Sequence, residues 1–535
     1  MKNIFIKQFI KKAIREKPQN RAELEKIKKD FSREKGLKGE SVPILANAEI
    51  RKTYQEMIEK GEVKSNTGLE NLLITKEVRT LSGVAVVAVL TKPFPCPGKC
   101  AYCPDESRMP KSYLSNEPAV MRAMSVDFHP YKQVQARLKM LEAGGHRIDK
   151  IEMIVMGGTF SYFSKKYRDW FIKECFRALN DYPKKYSGKS LTSNLEKEKK
   201  KNEKARCRMV GLTLETRPDY INPREVADFR RLGATRVEMG VQHLDEEVLK
   251  LNKRGHGSKE IIYATKILKE AGFKISYHLM PGLPGSNAKK DLAMVKKIFS
   301  DERFQPDLVK IYPCVVTSGS EIEKWWREGR YSPLSNEDNL ELMKEIKAVI
   351  PPYVRISRLI RDIPEESILA GPNISNLRQM IQREGIVCRC IRCREVKADF
   401  SPREEVVLNR LEYKASGGKE IFLEYVSPNK EKLFAMLRLR IPGEESKISN
   451  YLTVLKNSAL IREVHTYGKV IGINKKEEKG AQHIGLGRKL IQEAEKIARE
   501  EFGVRKIAII SGVGVREYYR KLGYRLWEEY MVKKV

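Results

Sequence analysis

Three cysteines lie within eight residues of this chain, at Cys96, Cys100 and Cys103, with the spacing C-x3-C-x2-C. Three thiolates on one short loop bind three irons of a [4Fe–4S] cluster and leave the fourth iron open for a ligand that is not protein. A structural zinc site would need a fourth Cys or His close by, and the nearest histidine, His129, lies well downstream. A disulfide is the remaining alternative. The spacing therefore predicts a [4Fe–4S] cluster with one open iron.

Length and hydropathy narrow the class of protein. The chain has 535 residues, enough for two or three domains, and contains no run of eighteen apolar residues that would span a membrane. Its first residues lack the long apolar centre of a secretory signal. We expect a cytoplasmic protein without a membrane partner, in which the nine cysteines point to metal ligands rather than disulfides.

Positive charge dominates the chain and is concentrated at its start. The formal net charge is +33, and residues 1–38 hold 13 Lys or Arg against 5 Asp or Glu. Apolar residues recur there at helical spacing, namely Phe5, Phe9, Ile10 and Ile14. Lys and Arg neutralise phosphates, although a surplus of charge also serves solubility. We predict that residues 1–75 form a basic helical region that binds RNA, with a membrane surface as the less favoured partner.

The next part of the chain, residues 76–370, alternates strand and helix patterns. The predicted strands are Val84–Leu90, Lys150–Met156, Met209–Leu214, Arg236–Val241, Ile275–Leu279, Leu308–Ile311 and Val354–Leu359. Alternation of this kind predicts βαβ units around a parallel sheet, with active-site groups at the carboxyl ends of the strands of a full or partial barrel. Lys184–Lys204 interrupts the pattern with few apolar residues, and we expect a mobile surface loop there.

A second cysteine group follows in residues 371–400. It has the spacing C-x-C-x2-C and consists of Cys388, Cys390 and Cys393. With Cys314 as a fourth thiolate, it would form a structural zinc site that clamps this linker to the barrel. A second Fe–S cluster is a weaker alternative. Cys175 and Cys207 have apolar neighbours and are expected to be packed thiols.

From residue 401 to 535 the pattern changes to longer strands and a glycine-rich turn. The turn, Gln482-His483-Ile484-Gly485-Leu486-Gly487-Arg488, precedes a helix over Lys489–Glu501. Bare amides at the start of a helix bind a pyrophosphate such as that of coenzyme A. A strand at Lys506–Ser511 and the segment Tyr518–Tyr524 follow. The combination resembles the GNAT acetyltransferases.

Several longer strings carry a more specific resemblance. They are Met156–Phe160 (MGGTF), Glu215–Tyr220 (ETRPDY), Glu238–Gln242 (EMGVQ), Met280–Gly285 (MPGLPG) and Arg462–Gly468 (REVHTYG). Together with the C-x3-C-x2-C segment, they resemble the family of the catalytic subunit of Elongator, which joins a radical S-adenosylmethionine (SAM) domain to a GNAT domain. The resemblance implies an α/β protein with a partial (β/α) radical-SAM barrel followed by a GNAT α+β domain.

The same resemblance implies a function. Members of the family place a carboxymethyl group on C5 of the wobble uridine (U34) of tRNA, using acetyl-CoA and a 5′-deoxyadenosyl radical derived from SAM. The cofactors implied are a [4Fe–4S] cluster, SAM, acetyl-CoA and zinc. The partners implied are the tRNA anticodon stem-loop and a reductant for the cluster, while other Elongator-type subunits and self-association stay open. Such a radical route suits C5 of uracil, which is a weak nucleophile, and in it the cofactor carries the difficult step.

Positions at strand ends suggest roles for several barrel residues. Gly157 and Gly158 would let the backbone approach the methionine end of SAM. Polar residues at successive strand ends would hold SAM or substrate, namely Glu215, Arg217, Glu238 and Gln242. For each glutamate a salt bridge at the barrel mouth is an equal alternative. Lys310 and Tyr312 share one strand end and are candidate catalytic residues that reach the substrate.

By resemblance, a second group of residues forms the acetyl-CoA site. These residues are Lys165, Glu463, Val464, His465, Thr466, Gln482, Gly485, Leu486, Gly487, Arg488 and Tyr519. Glu463, His465 and Tyr519 are also candidate catalytic residues. The alternatives are a surface lysine for Lys165 and a packed strand residue for His465.

Two rival functions remain at this point. A protein or small-molecule N-acetyltransferase with an accessory Fe–S domain would need a general base near the thioester, for which Glu463 is the available candidate. An RNA-binding scaffold without catalysis is disfavoured, because both motif sets are intact. For RNA, we expect a positive surface that includes the N-terminal region, Arg79 and the arginines within Cys388–Arg394.

Overall fold

The computed structural model describes residues 2–37, 44–75, 83–184, 186, 193–396, 404–443, 446–468 and 485–535. The helices are α1 (Lys2–Glu16), α2 (Arg21–Leu37), α3 (Asn47–Glu59), α4 (Thr67–Leu72), α5 (Pro118–Met124), α6 (Pro130–Ala143), α7 (Lys165–Asp181), α8 (Leu195–Asn202), α9 (Pro223–Arg231), α10 (Glu246–Leu251), α11 (Ser258–Glu270), α12 (Ala288–Ser300), α13 (Glu321–Arg327), α14 (Asn336–Val349), α15 (Leu377–Arg383), α16 (Ile391–Arg394), α17 (Leu486–Glu500) and α18 (Arg516–Arg520).

The strands are β1 (Ala85–Leu90), β2 (Lys150–Met156), β3 (Arg208–Thr216), β4 (Arg236–Gln242), β5 (Lys274–Leu279), β6 (Leu308–Ile311), β7 (Val316–Thr317), β8 (Arg355–Arg358), β9 (Ile368–Ala370), β10 (Val407–Ala415), β11 (Gly418–Val426), β12 (Leu433–Ile441), β13 (Ala459–Thr466), β14 (Lys506–Ile509), β15 (Arg525–Trp527) and β16 (Tyr530–Lys534). No helix in the described ranges is both long and apolar enough to cross a membrane.

The N-terminal helices α1 to α4 pack around a small apolar core of their own. Phe5, Phe9 and Ile10 on α1 are buried against residues of α2 and α3 that include Phe31 and Tyr54. The polar face of α1 is lysine-rich, as the helical spacing of the apolar residues predicts. This part of the chain is therefore helical, as expected.

Seven parallel strands form the central sheet in the order β1-β2-β3-β4-β5-β6-β8. Each predicted strand of this region is present, within two residues of its expected ends. Strand order follows chain order because each helical crossover brings the chain to the next position in the sheet. The result is an open half-barrel whose carboxyl strand ends meet at one edge.

Part of the segment Lys184–Lys204, predicted as a mobile loop, is helical. Leu195–Asn202 forms α8, and Asn194 caps it by accepting a hydrogen bond from the backbone N–H of Lys197. Lys199 is buried, and its Nζ lies 2.7 Å from Glu529 Oε1. The buried residues of this helix include charged side chains in ion pairs, so a prediction based on apolar periodicity does not detect the helix. Residues 187–192 lie outside the described ranges.

The second large sheet has the order β10-β11-β12-β13-β14-β16-β15. Every pair in it is antiparallel except β13 and β14, which run parallel from Ala459 and Ile507. Helix α17 packs on β12 and β13. One hydrophobic core reaches from the half-barrel into this sheet and includes Phe422, Met436 and Leu460. The two sheets thus share a core.

Buried ion pairs also join the two sheets. Asp307, just before β6, accepts two hydrogen bonds from the guanidinium of Arg462 on β13, at 3.0 and 2.5 Å. Arg462 also donates to Glu420 on β11 at 2.8 Å. Lys269 Nζ and an Arg438 nitrogen lie 3.6 and 3.7 Å from Asp307 Oδ1. All five side chains are fully or almost fully buried.

Candidate functional site

The cysteines of the C-x3-C-x2-C segment lie in the loop that follows β1, at the carboxyl edge of the half-barrel. Cys100 is buried, and Arg254 Nη1 donates a hydrogen bond to its Sγ at 3.2 Å. A hydrogen bond with Cys103, together with the Arg254 guanidinium, lowers the pKa of Cys100 to about 4. The same hydrogen bond raises the pKa of Cys103, so the two thiols share one proton in the absence of iron. A thiolate is the form that binds iron, and the three sulfurs on one loop fit a cluster. No motif in the sequence indicates Arg254.

Two glycines after β2 bring the backbone close to β1. Gly157 and Gly158 have φ values of 122° and 96°, which favour glycine. A Cβ on Gly157 would overlap Thr91 Oγ1 and lie 3.2 Å from the Thr91 backbone nitrogen. This position therefore requires glycine for close approach of two backbone segments, at the strand end where we expected SAM.

The side chain of Arg217 packs against the loop that carries Cys96, Cys100 and Cys103. Its guanidinium donates to Asp219 at 2.9 Å and to the carbonyl of Arg254 at 2.8 Å. Its Nη1 is buried, without a partner among the described residues, and a Cβ on Gly98 would overlap that atom. Arg217 thus connects the end of β3 with the loop that carries the cysteines.

A compact charged group lies inside the half-barrel at the ends of β3 to β6. Ligand atoms of Glu215, Glu238 and His278 lie within 4.8 Å of one another. Lys310 is ion-paired with Glu238 and lies 4.0 Å from Glu215, while His278 Nε2 lies 3.1 Å from Glu238 Oε2. The aromatic ring of Tyr312 lies 5.5 Å from the His278 ring. The structure brings Glu215, Glu238, Lys310 and Tyr312 together, as expected. It adds His278 on β5, which the sequence reasoning did not identify.

Electrostatics stabilise the charged forms in this group. Burial alone would raise the pKa of Glu238, but the Lys310 ammonium holds it well below its ordinary value. Burial alone would lower the pKa of Lys310, but the Glu238 carboxylate raises it. The salt-bridge alternative thus describes Glu238. The remaining candidate, Gln242, has a φ of 69° and a buried side-chain oxygen without a partner among the described residues.

One cavity of about 1570 Å³ fills the half-barrel. At the carboxyl edge it is lined by Cys96 and Cys100, and in its middle by Glu238 and Lys310. At the opposite end it is lined by Tyr467, which directly follows β13. The lumen therefore connects the cysteine loop with the second sheet.

The start of α17 meets the end of β13 at Gly487. A Cβ on Gly487 would lie 3.4 Å from Thr466 Cγ2, 3.5 Å from the Tyr518 hydroxyl and 3.9 Å from Val464 Cγ1. Gly485 caps the helix with a φ of 69°. The structure thus brings three expected residues together with Tyr518, which sequence reasoning missed.

The other residues expected at the acetyl-CoA site lie in different places. Leu486 is buried in the core of the second sheet, and Arg488 is exposed. Gln482 lies outside the described residues. Tyr519 is packed in the same core as Leu486, and Lys165 lies 3.5 Å from both Asp169 and Asp228 on the barrel surface. The ring of Tyr519 lies 5.2 Å from that of Tyr518, the tyrosine beside Gly487. The acetyl-CoA roles of Lys165 and Tyr519 stay predictions.

Glu463 and His465 lie between the two sheets. Burial would raise the pKa of Glu463, but the neighbouring Lys274 and Arg438, at 3.3 and 2.9 Å, lower it to about 2. Burial lowers the pKa of His465 to about 4, and its ring packs against Tyr467 at 4.4 Å. A carboxylate held by two cations is a weak general base. The N-acetyltransferase alternative thus loses its candidate base.

The second cysteine group is only partly as expected. The sulfurs of Cys388, Cys390 and Cys393 lie within 4.8 Å of one another, close enough to share a metal. Cys314 is not with them, because it is buried in a separate apolar cluster beside Tyr331. The expectation that Cys314 supplies the fourth ligand is therefore wrong. Lys347 Nζ and Arg378 Nη1 instead lie 3.7 and 3.9 Å from Cys393 Sγ.

Comparisons with known proteins agree with this geometry. The family model for the Radical SAM superfamily matches residues 95–298, and that for the Radical_SAM C-terminal domain matches residues 306–385. The chain is 47% identical over 461 residues to the tRNA uridine(34) acetyltransferase of Dehalococcoides mccartyi (strain CBDB1), which covers 85% of this chain and 98% of that protein. It is 38% identical over 480 residues to Elongator complex protein 3 of Homo sapiens, with 86% of each covered.

A solved structure shows the same overall arrangement. The archaeal Methanocaldococcus infernus Elp3 with its N-terminus deleted (1–46) matches with a TM-score of 0.72 and 41% identity. The match covers 85% of this chain and 100% of that one. The chain therefore belongs to the radical-SAM family that comprises the tRNA uridine(34) acetyltransferases and Elongator complex protein 3.

Proposed function

We propose that this chain carboxymethylates C5 of the wobble uridine of tRNA, with acetyl-CoA as the source of carbon and SAM as the source of the radical. The observation that carries the proposal is the cavity that extends from Cys96 and Cys100 to Tyr467. The far end of this cavity is lined by Tyr467, the residue after Thr466, which lies beside Gly487 at the start of α17. A chain in which the cysteine loop and the start of α17 are linked in this way is suited to a reaction that needs both a radical and an acyl group. Close relatives bear the name tRNA uridine(34) acetyltransferase.

The radical site is built from the cysteine loop and the charged group in the lumen. Cys96, Cys100 and Cys103 would hold a [4Fe–4S] cluster, which when bound supplies the electron that cleaves SAM. The hydrogen bond with Cys103 and the Arg254 guanidinium lower the pKa of Cys100, which favours its thiolate form. The Gly157–Gly158 turn leaves room for the methionine end of SAM, and Glu238 with Lys310 would orient the polar groups of SAM or substrate.

We infer that the second sheet is a GNAT domain. Support comes from its parallel pair, β13 and β14, and from α17, which starts beside the end of β13. The exposed amides at the start of a helix favour phosphate binding, so α17 would hold the pyrophosphate of acetyl-CoA. Thr466, Val464 and Tyr518 around Gly487 would contact the uncharged arm that carries the acetyl group.

The remaining components of the proposal concern zinc, RNA and location. Cys388, Cys390 and Cys393 would hold zinc with a fourth ligand other than Cys314. The net charge of +33 and the basic face of α1 favour tRNA as the partner. A cytoplasmic protein that meets an external reductant, alone or with Elongator-type subunits, fits this chemistry.

A labelling experiment tests the function. The reconstituted protein is incubated anaerobically with tRNA, SAM, a reductant and acetyl-CoA that carries ¹³C in its methyl group, and the nucleosides are analysed by mass spectrometry. We expect labelled carboxymethyluridine from the wild type and from Cys175→Ala, which removes a thiol on the buried face of α7. Cys100→Ala and Gly487→Val should abolish it. Label found on amines only, unaffected by Cys100→Ala, would instead support an N-acetyltransferase.

A further inference from the structure

Aromatic side chains form a continuous ridge at the carboxyl edge of the half-barrel, next to the cysteine loop. The aromatic ridge consists of Phe94, Tyr162, Phe163, Tyr167, Trp170 and Tyr220. Phe94 lies in the loop after β1, two residues before Cys96, while Tyr162 and Tyr220 lie in the loops after β2 and β3. Three successive strand ends thus contribute rings to one surface.

The rings contact one another in a defined order. Phe94 stacks on the buried Phe163 with centroids 4.5 Å apart, and Phe163 stacks on Tyr167 at 4.6 Å. Tyr162 meets Phe94 edge-on at 5.8 Å and meets Tyr220 at the same distance with perpendicular planes. The buried Phe163 thus packs against two rings of the ridge, Phe94 and Tyr167, and the remaining rings contact these in turn.

Three rings of the ridge are partly exposed to solvent. Phe94 is 38% exposed, Tyr162 is 42% exposed and Trp170 is 37% exposed. Single exposed apolar residues are ordinary, but a contiguous group marks a surface that binds something. The usual explanation for clustered aromatic residues, a core, accounts for Phe163 but not for the three exposed rings.

A lysine lies among these rings. Lys92 Nζ lies 6.0 Å from the Phe94 ring centroid and 5.1 Å from that of Tyr167. Aromatic faces beside a cation match the two parts of a single-stranded nucleic acid, since bases stack on rings and phosphates pair with cations. A protein partner with an apolar surface would not need the lysine.

We propose that the exposed rings Phe94, Tyr162 and Trp170 stack unpaired bases of the anticodon loop that flank the reactive uridine. The proposal rests on the proposed function, because a uridine that reaches the cysteine end of the lumen must leave the base stack of its loop. RNA loops are commonly recognised by aromatic residues that receive such splayed bases. The ridge lies where the neighbours of that uridine would come to rest.

The test is binding, read without turnover. The probe is a tRNA anticodon stem-loop with 2-aminopurine next to the wobble uridine, whose fluorescence is quenched when it stacks. The variants are Phe94→Leu, Tyr162→Leu and their combination, with Tyr263→Leu, a 42% exposed tyrosine on α11, as the matched control. Leucine keeps the apolar character and removes the stacking face.

We expect each ridge variant to weaken binding of the stem-loop about tenfold and to relieve the quenching. Tyr263→Leu should change neither, and no variant should alter binding of a fully paired RNA of the same length. Lys92→Gln should lower the slope of log affinity against log salt by roughly one.

Three results would overturn the proposal. If the double variant bound the stem-loop with wild-type affinity and quenching while the wild type still carboxymethylated tRNA, the ridge would not be the stacking surface and the proposed function would stand. If the wild type neither bound the stem-loop nor modified tRNA, both would fail together. Equal weakening by Tyr263→Leu would show that loss of any exposed ring has the same effect, and would also refute the assignment.

Discussion

Replacing Asp307 by asparagine should destabilise the protein strongly, although the two side chains have the same shape. Asp307 is fully buried and faces Arg462, Lys269 and Arg438. Burial would raise the pKa of Asp307, but these three cations hold it far below its ordinary value. Loss of one partner from a buried ion-pair network typically costs about 3–5 kcal/mol, because the remaining charges are left uncompensated. We expect a loss of that size for Asp307→Asn.

The assay is unfolding in urea, followed by tryptophan fluorescence and by far-UV circular dichroism. The matched control is Asp301→Asn, which breaks the ion pair with Arg303 on the protein surface and should leave the unfolding midpoint unchanged. Because Asp307 joins the half-barrel to β13, the variant should unfold at a lower urea concentration than the wild type by both probes. A loss below about 1 kcal/mol, or a loss equal to that of the control, would refute the view that this buried network holds the two sheets together.

Three further experiments test other parts of the structure. Glu463, with its pKa lowered to about 2 from 4.5, stabilises the fold by about 3 kcal/mol above pH 4.5. In pH-dependent unfolding, the advantage of the wild type over Glu463→Gln should therefore vanish as the pH falls towards 2, and a constant difference would contradict this. Gly157→Ala should cost about 1–3 kcal/mol in thermal unfolding, because its Cβ would overlap Thr91 at a positive φ; unchanged stability would contradict the close approach. Elemental analysis should find zinc lost from Cys390→Ser and kept in Cys314→Ser, and the opposite pattern would restore Cys314 as a ligand.

Much of the fold could be predicted because its signals are local. The seven parallel strands are apolar runs separated by amphipathic helices, so their existence and order follow from hydrophobic periodicity. Helix α8 escaped this reasoning because its buried surface is polar. Lys199 and Asn202 are buried through partners that are distant in sequence or that need the folded backbone, such as Glu529 and the carbonyl of Cys207. Periodicity cannot identify such pairs.

In the site, too, local signals were predictable and contacts between residues distant in sequence were not. Glu238 and Lys310, both expected at strand ends, meet in space because their side chains point into the lumen from β4 and β6. Glu238 is the third residue of β4, so this pair lies in the middle of the lumen rather than at its carboxyl edge. Arg254 reaches Cys100 from a loop after α10, and no spacing rule connects the two. The number of cysteines in a sequence does not show where each side chain lies in the fold. For this reason the expectation for Cys314 is wrong: its side chain is buried away from the other three sulfurs. Long-range geometry therefore decided what the motifs left open.

The most direct test of the account follows hydrogen rather than carbon. The protein is incubated with tRNA, SAM, a reductant and acetyl-CoA whose methyl group is fully deuterated, and both 5′-deoxyadenosine and the tRNA nucleosides are analysed by mass spectrometry. We predict deuterium in 5′-deoxyadenosine and a carboxymethyluridine that keeps the other two deuterium atoms, with both lost in Cys100→Ala. An intact trideuterated acetyl group on an amine, with unlabelled 5′-deoxyadenosine, would contradict the claim that the SAM-derived radical acts on the acetyl group of acetyl-CoA.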